Sequence, residues 1–315
     1  MSASLRDAEA LPRRQSAVAR RFDRSLQVLT GVAAAIILLL VVIIVGNIVY
    51  FGWRTVTWEF LTTAPTHGLT AGGIFPALFG TAALVLLMVI ALIPFGVAAA
   101  IYLSEYAPAD SPFTRVVRFA VNNLAGVPSI VFGLFGLGFF IQFLGAGLDR
   151  ALGLPPTWGQ PALLWAALTL ALLNLPVVVV TAEEALRSVP KEMREASLAL
   201  GATQWQTVWR VLLPQALPGI LTGAILAVAR GAGEVAPILF TGAAYYLPYL
   251  PQAPTDKFME LGYHIFVLAT QSPDVDATRP ILYGTVLVLL LLTLGLNLTA
   301  ILIRNRLRAR LAGMR

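Results

Sequence analysis

Cysteine is absent from the 315-residue chain, histidine occurs twice, and lysine occurs only at Lys191 and Lys257. No disulfide, thiolate nucleophile, iron–sulfur cluster or Cys-type zinc site can form. His67 and His264 both fall in loops of the predicted topology, which excludes paired axial haem ligands within a bilayer. Neither lysine follows a glycine, so a GxxxxGK[ST] phosphate loop is missing and ATP is not bound in that way. Charge is scarce as well: 12% of residues are charged and 58% are hydrophobic, where a soluble domain carries about 25% charged residues.

What is present is a series of long uncharged stretches: Ser25 to Trp53, Gly68 to Ser104, Phe119 to Leu148, Ala151 to Ala182 and Pro280 to Ile303. A further stretch, Val211 to Thr255, is broken only by Arg230 and Glu234. A spanning helix needs about 20 mostly apolar residues. The pattern predicts an all-α integral membrane protein with about six transmembrane helices, at roughly 27–51, 77–103, 119–144, 161–182, 215–240 and 281–303. The first apolar run, Thr30 to Phe51, is too long for a signal-peptide core and lacks an A-x-A exit, so it reads as an uncleaved anchor.

Seventeen basic residues fall in the segments placed inside and four in those placed outside. The positive-inside rule then puts both termini in the cytoplasm. Residues 1–24 read as a basic, largely disordered cytoplasmic tail and 304–315 as a second basic tail. Contact with anionic lipid accounts for the basic surplus better than nucleic acid does, because no compact basic domain lies outside the membrane segments. The outer loop 52–76 carries Trp53 and Trp58 as interfacial anchors, and Gly72-Gly73 suggests a turn before the second span. In the long outer loop, Phe258 to Gln271 is apolar but too short to span, which suggests a re-entrant or interfacial helix. Glu260 and His264 within it read as a surface pair.

Arg230 and Glu234 are the only charges inside a predicted span. Charges at the bilayer centre cost several kcal/mol unless they face protein or water, and they often mark a pathway. Four residues apart, they share a helix face. One reading is an ion pair that fixes the helix against a neighbouring subunit. The other is a pathway in which the Arg230 guanidinium meets an oxyanion and Glu234 limits how tightly that anion is held. Asn123 and Ser129, at the start of the predicted third span, fit helix-to-helix hydrogen bonding or a polar path. Gly219 and Gly223 form a small-xxx-small face suited to close helix packing. No residue set for metal binding or covalent catalysis emerges, and no cofactor is implied.

The inner connection from Glu183 to Leu213 is dense in charge and helical in pattern, with Gly201 as its break. Within it, Glu195-Ala196-Ser197 is followed after three residues by Gly201, and nine residues later by Val211-x-Leu213-Pro214. This resembles the EAA loop of binding-protein-dependent ABC-importer permeases, with Ser and Val replacing Ala and Ile. The runs PFGVAAAIYLSEYA (94–107) and NLAGVPSIVFGLFG (123–136) are similar to phosphate-importer permeases, and RGAGEVAPILFTG (230–242) and FVLATQSP (266–273) to their PstA type. The resemblance covers roughly residues 70–310.

The resemblance implies a type I ABC-importer permease fold with a core over 71–303 and a coupling loop at about 183–214. Residues 25–70 then hold the first transmembrane helix and an outer loop. It implies no catalytic residue in this chain. Glu195, Ala196, Ser197, Gly201 and Pro214 would couple to an ATPase, and Arg230, Glu234, Ser129 and Asn123 would line the substrate pathway. The implied partners are a PstC-type sister permease, two PstB-type ATP-binding subunits and a periplasmic phosphate-binding protein, with phosphate as cargo in a bacterial inner membrane. Another tetrahedral oxyanion, such as sulfate, molybdate or tungstate, and the PstC-type sister itself stay open as alternatives. An intramembrane Ser-His protease is disfavoured because no histidine lies within a span. A self-sufficient secondary transporter would leave the EAA loop without a purpose.

Overall fold

The computed structural model describes residues 17–108 and 110–312. The chain divides into two units, Met1–Tyr50 and Phe51–Arg315. Among the described residues six helices are long and apolar enough to cross a membrane: Asp23–Gly52, Phe75–Tyr106, Ser129–Leu152, Leu163–Arg187, Gln204–Gly231 and Val275–Arg306, here called spans one to six. The number agrees with the sequence. Several boundaries do not, and each shift has a local cause.

The helix containing span one already begins at Ala17. Residues 17–24 are therefore helical rather than part of a disordered tail, and the expectation for 1–16 lies outside the described residues. At the other end the last helix continues from Val275 to Ala312 through the arginine cluster, because alanine, leucine and arginine propagate a helix already nucleated by the span. Span three begins later than hydropathy indicates. Pro112–Leu124 is a separate helix, opened by Pro112 at its first position and closed by Ala125-Gly126 and Pro128, since the residue before a proline is pushed out of the α region. Span three then starts at Ser129. Asn122 and Asn123 consequently close this separate helix rather than opening the span.

Span five is displaced towards the N-terminus, starting at Gln204 and ending at Gly231 rather than running over 215–240. Pro214 sits inside it, two residues after the end of a π-helical turn at Val208–Leu212. Proline supplies no N–H and crowds the carbonyl four residues back, and the wider turn accommodates both.

The second unit is built around spans two and four, whose Leu84, Met88, Leu92, Leu170, Leu173 and Val178 form one buried cluster. Lipid tails are as apolar as leucine, so within a bilayer close contact rather than escape from water holds spans together. Span five obeys this rule. A Cβ on Gly223 would run into Thr181 Oγ1 and one on Gly219 would meet Ala185 Cβ at 2.5 Å, so the two glycines let span five lie directly on span four. The loop before span two holds a short helix, Trp58–Thr62, and an antiparallel pair joining Pro65 to Gly72 and Thr66 to Ala71. Trp53 and Trp58 in this loop are exposed.

Candidate functional site

Arg230 occupies the last turn of span five. The helix stops at Gly231, and Ala232 N and Gly233 N bond back to Val228 O (3.0 Å) and Arg230 O (3.2 Å). Residues 232–237 are non-helical before a short helix, Ile238–Thr241. Glu234 is therefore not on the same helix face as Arg230, as the spacing suggests. It lies beyond the helix end, and the chain turns there so that Arg230 Nε still meets Glu234 Oε1 at 3.0 Å. The Arg230 side chain is 44% exposed and Glu234 19%. The bond uses Nε alone, which leaves both Nη groups without a partner among the described residues. A free planar fork of this kind suits bidentate contact with a tetrahedral oxyanion.

The surroundings of this break come from three other elements. Asn174 in span four is fully buried, and its Nδ2 lies 3.7 Å from where a Cβ of Gly231 would stand. Its Nδ2 donates to Leu170 O at 2.9 Å, while its Oδ1 has no partner. Met88 of span two packs against Gly231. Gly133 of span three lies against Pro237 and Phe240, with a would-be Cβ 3.0 Å from each. Ser129 is one turn before Gly133, on the same helix face. Asn123 is not on this helix: its Nδ2 donates to Phe119 O at 2.7 Å on the separate helix, where the residue is exposed. The signal in the sequence that marks Asn174 is a lone asparagine deep in an apolar run, two residues before Pro176.

The second set of residues forms a helix–turn–helix on the arginine-rich side. Lys191–Ala199 is a short helix with no buried residue. Gly201 ends it in the left-handed region at φ 82°. Gly201 N bonds Leu198 O (2.9 Å) and Ala202 N bonds Ser197 O (3.2 Å), which closes the turn. Thr203 then starts the next helix with a reciprocal capping box to Gln206. Glu195 and Ala196 are exposed, and Leu200 at the turn is 89% exposed. Ser197 is half-buried, with its Oγ 2.9 Å from Thr207 Oγ1 across the turn. Gly201 is thus the predicted break and the first three residues lie together, whereas Pro214 stands apart inside span five.

Two charge clusters anchor this region, and their long-range partners, Arg118 and Arg194, are not legible in the sequence. Glu183 at the end of span four pairs with Arg118 and, at 2.7 Å, with Arg187. Arg118 Nη2 also donates to Leu103 O at 2.8 Å. Glu105 at the end of span two pairs with Arg194 at 2.8 Å.

Glu260 and His264 are not a surface pair. Both are 2% exposed, because the helix Leu261–Thr270 packs Leu261, Val267 and Leu268 against Ile281 and Val288 of span six. Glu260 caps that helix, accepting from Gly262 N (2.8 Å) and Tyr263 N (2.6 Å). Burial pushes its carboxyl up to about 7 against the opposing pull of these two backbone bonds and the Thr81 hydroxyl. Burial likewise pushes His264 down to about 4.

Residues 92–313 match the family described as binding-protein-dependent transport system inner membrane component. The chain is 35% identical over 283 residues to the probable ABC transporter permease protein YqgI of Bacillus subtilis, covering 86% of this chain and 90% of that one. It is 36% identical over 265 residues to the phosphate transport system permease protein PstA 1 of Mycobacterium tuberculosis (strain ATCC 25618 / H37Rv), covering 82% and 79%. Among solved structures, a chain of a bacterial ABC transporter involved in the import of the acidic polysaccharide alginate superposes with TM-score 0.61 at 17% identity, covering 91% of this chain and 98% of that one. A chain of the inward-facing MetNI methionine ABC transporter gives 0.55 at 19%, covering 73% and 94%. At such identities the two structures speak for the fold alone.

Proposed function

The chain belongs to the family of binding-protein-dependent transport system inner membrane components, multi-pass membrane proteins with the type I ABC-importer permease fold, and from that premise we propose that it is the PstA-type permease of an ATP-driven phosphate importer. The observation that carries the cargo assignment is the similarity to proteins named PstA, at 36% identity over 82% of the chain for one of them. The Arg230–Glu234 pair at the break of span five supports it. Its free guanidinium fork fits a phosphate oxyanion, and non-helical backbone at membrane depth is tolerated only where it is buried in protein or lines a water-filled cavity.

On this reading both termini are cytoplasmic, and the exposed Lys191–Ala199 helix, with Glu195, Ala196, Ser197 and the Gly201 turn, docks an ATPase subunit. A PstC-type sister completes the pathway. Two PstB-type subunits supply the hydrolysis that this chain does not carry out, and a periplasmic phosphate-binding protein delivers the cargo. Arg230, Glu234 and Ser129 lie along the path, with Asn174 added from span four, while Asn123 on the separate helix lies off it. Alternating access follows: closure of the ATPases moves the coupling helix, and the spans of the two sisters swing about the path between them.

The test is uptake of radiolabelled phosphate, with sulfate in parallel, in cells deleted for this gene and other phosphate importers. Wild type should restore phosphate uptake. Arg230→Ala should abolish it while the ATPase is still pulled down with the chain. Restoration of sulfate instead would replace the cargo, and loss of the whole complex in Arg230→Ala would make the pair a structural brace.

A further inference from the structure

Glu105 lies at the end of span two, in a π-helical turn over Tyr102–Tyr106. Its side chain is 5% exposed. Its Oε1 accepts from Arg194 Nη2 at 2.8 Å and from Ser104 Oγ at 2.9 Å. Its backbone oxygen accepts from Gln204 Nε2. Arg194 belongs to the Lys191–Ala199 helix and Gln204 is the first residue of span five. One residue of span two therefore holds both arms of the helix–turn–helix, one before Gly201 and one after it.

The other ties define what this contact does. Among the described residues only Arg194 and Ser197 of the Lys191–Ala199 helix make side-chain hydrogen bonds to other elements. Ser197 reaches Thr207, which lies in the first turn of span five. A displacement of the exposed helix thus has a direct polar path into span five through Ser197, and a direct polar path into span two through Arg194. Span two is joined onward to the Pro112–Leu124 helix and to span four, because Arg118 holds Leu103 O and Glu183 together.

We propose that Glu105 and Arg194 are positioning residues of the transport cycle. They clamp the coupling helix to span two, so that ATPase closure moves spans two and five as one body. The charge-assisted bond at a nearly dry carboxylate is short and directional, whereas Met193 beside it only packs partly buried against an apolar cluster and sets no angle. The proposal rests on the ATPase-docking reading above and adds the route by which the motion leaves the docking helix.

The test uses the assembled importer in proteoliposomes and has two arms. In the first, ATP hydrolysis and phosphate uptake are measured in the same vesicles. Arg194→Ala and Glu105→Gln should keep the ATPase bound and hydrolysing while the ATP spent per phosphate rises by about tenfold, as expected when one charge-assisted contact leaves the transmitting path. Arg194→Lys and the exchange Glu105→Arg with Arg194→Glu should recover most of the ratio, which a merely structural role for the site would not predict. In the second, this chain has no cysteine, so with partner subunits made cysteine-free, spin labels are placed at Glu192→Cys and Tyr106→Cys alone. Their separation should stay unchanged on ATP binding in the parent and should broaden in Arg194→Ala. An unchanged ATP-to-phosphate ratio in Arg194→Ala, or a parent separation that shifts with ATP as far as the variant's, overturns the clamp. An importer that moves another anion would overturn the cargo assignment alone, since the spin-label arm does not depend on cargo.

Discussion

Gly201 offers a perturbation whose size follows from geometry alone. Its φ is +82°, and a Cβ built there would meet nothing within 4 Å. Gly201→Ala therefore introduces no clash in the permease itself, only the cost of holding an L-residue in the left-handed region, about 1–2 kcal/mol. Asparagine tolerates that region better, because its short side chain can bond locally, so Gly201→Asn should cost about half as much or less. The chain can relieve the strain by opening the turn that the Leu198 and Ser197 carbonyls close. If ATPase docking needs the turn closed, the same free energy is withdrawn from binding, which weakens the complex by a factor of about 5–30 for alanine. The assay is the dissociation constant of purified ATPase subunit for the permease pair in nanodiscs, across Gly, Asn and Ala at position 201. A graded loss in that order is expected. Alanine binding as tightly as glycine, or asparagine as weakly as alanine, would refute the strain argument.

Gly223→Val forces side-chain atoms into Thr181 and should destabilise the packing of span five on span four by about 1–3 kcal/mol, read as a lower thermal unfolding midpoint with membrane insertion intact. Glu260 is pushed up to about 7 by burial, so between its unfolded value of 4.5 and about 7 the folded chain holds a proton that the unfolded chain has released. Its stabilising contribution is complete below 4.5 and is lost as pH rises through 7; Glu260→Gln should flatten that slope in thermal unfolding measured from pH 5 to pH 8. His264, held down to about 4, acts in the opposite sense, contributing above 6.5 and losing that contribution as pH falls through 4; His264→Phe should remove this acid-side slope. Gly233→Ala combined with Pro237→Leu favours continuing span five as a helix and should leave the complex assembled while abolishing uptake. Full uptake by that double variant would show that the break is dispensable.

The number of spans was legible because bilayer thickness imposes a length that composition reveals directly. The Gly201 turn was legible because only a local backbone requirement fixes it, and the approach of Arg230 to Glu234 because a spacing of four permits contact in a helix and the tight turn after Gly231 preserves it. Boundaries were less legible where hydropathy and backbone chemistry disagree. Phe119 to Leu148 carries no charge, so the amphipathic end of the Pro112–Leu124 helix was merged with span three, although Pro128 marked the break. Val211 to Arg230 and Val235 onward read as one apolar segment, which hid the end of span five at Gly231. The Glu105–Arg194 contact joins residues 89 apart, and pairing at that separation leaves no trace in periodicity. Glu260 and His264 looked like surface charges because the helix that carries them is too short to span, and its burial arises from spans two and six rather than from its own sequence.

The break at Gly231 bears on which reading of Arg230 and Glu234 to prefer. A continuous helix would have kept the two residues on one face and could have paired them there. Ending the helix adds a cost, because its terminal carbonyls lose their partners. The chain recovers part of this through Ala232 and Gly233, whose N–H groups turn back to Val228 and Arg230. It also leaves a buried Asn174 Oδ1 without a partner beside the break, a group that a water or a passing polar ligand would satisfy. A brace between subunits calls for neither the unwound segment nor the orphaned amide. A site that must admit an anion, hold it by one guanidinium fork and release it calls for the unwound segment, since the carboxylate that occupies Nε offsets the charge without filling the Nη pair.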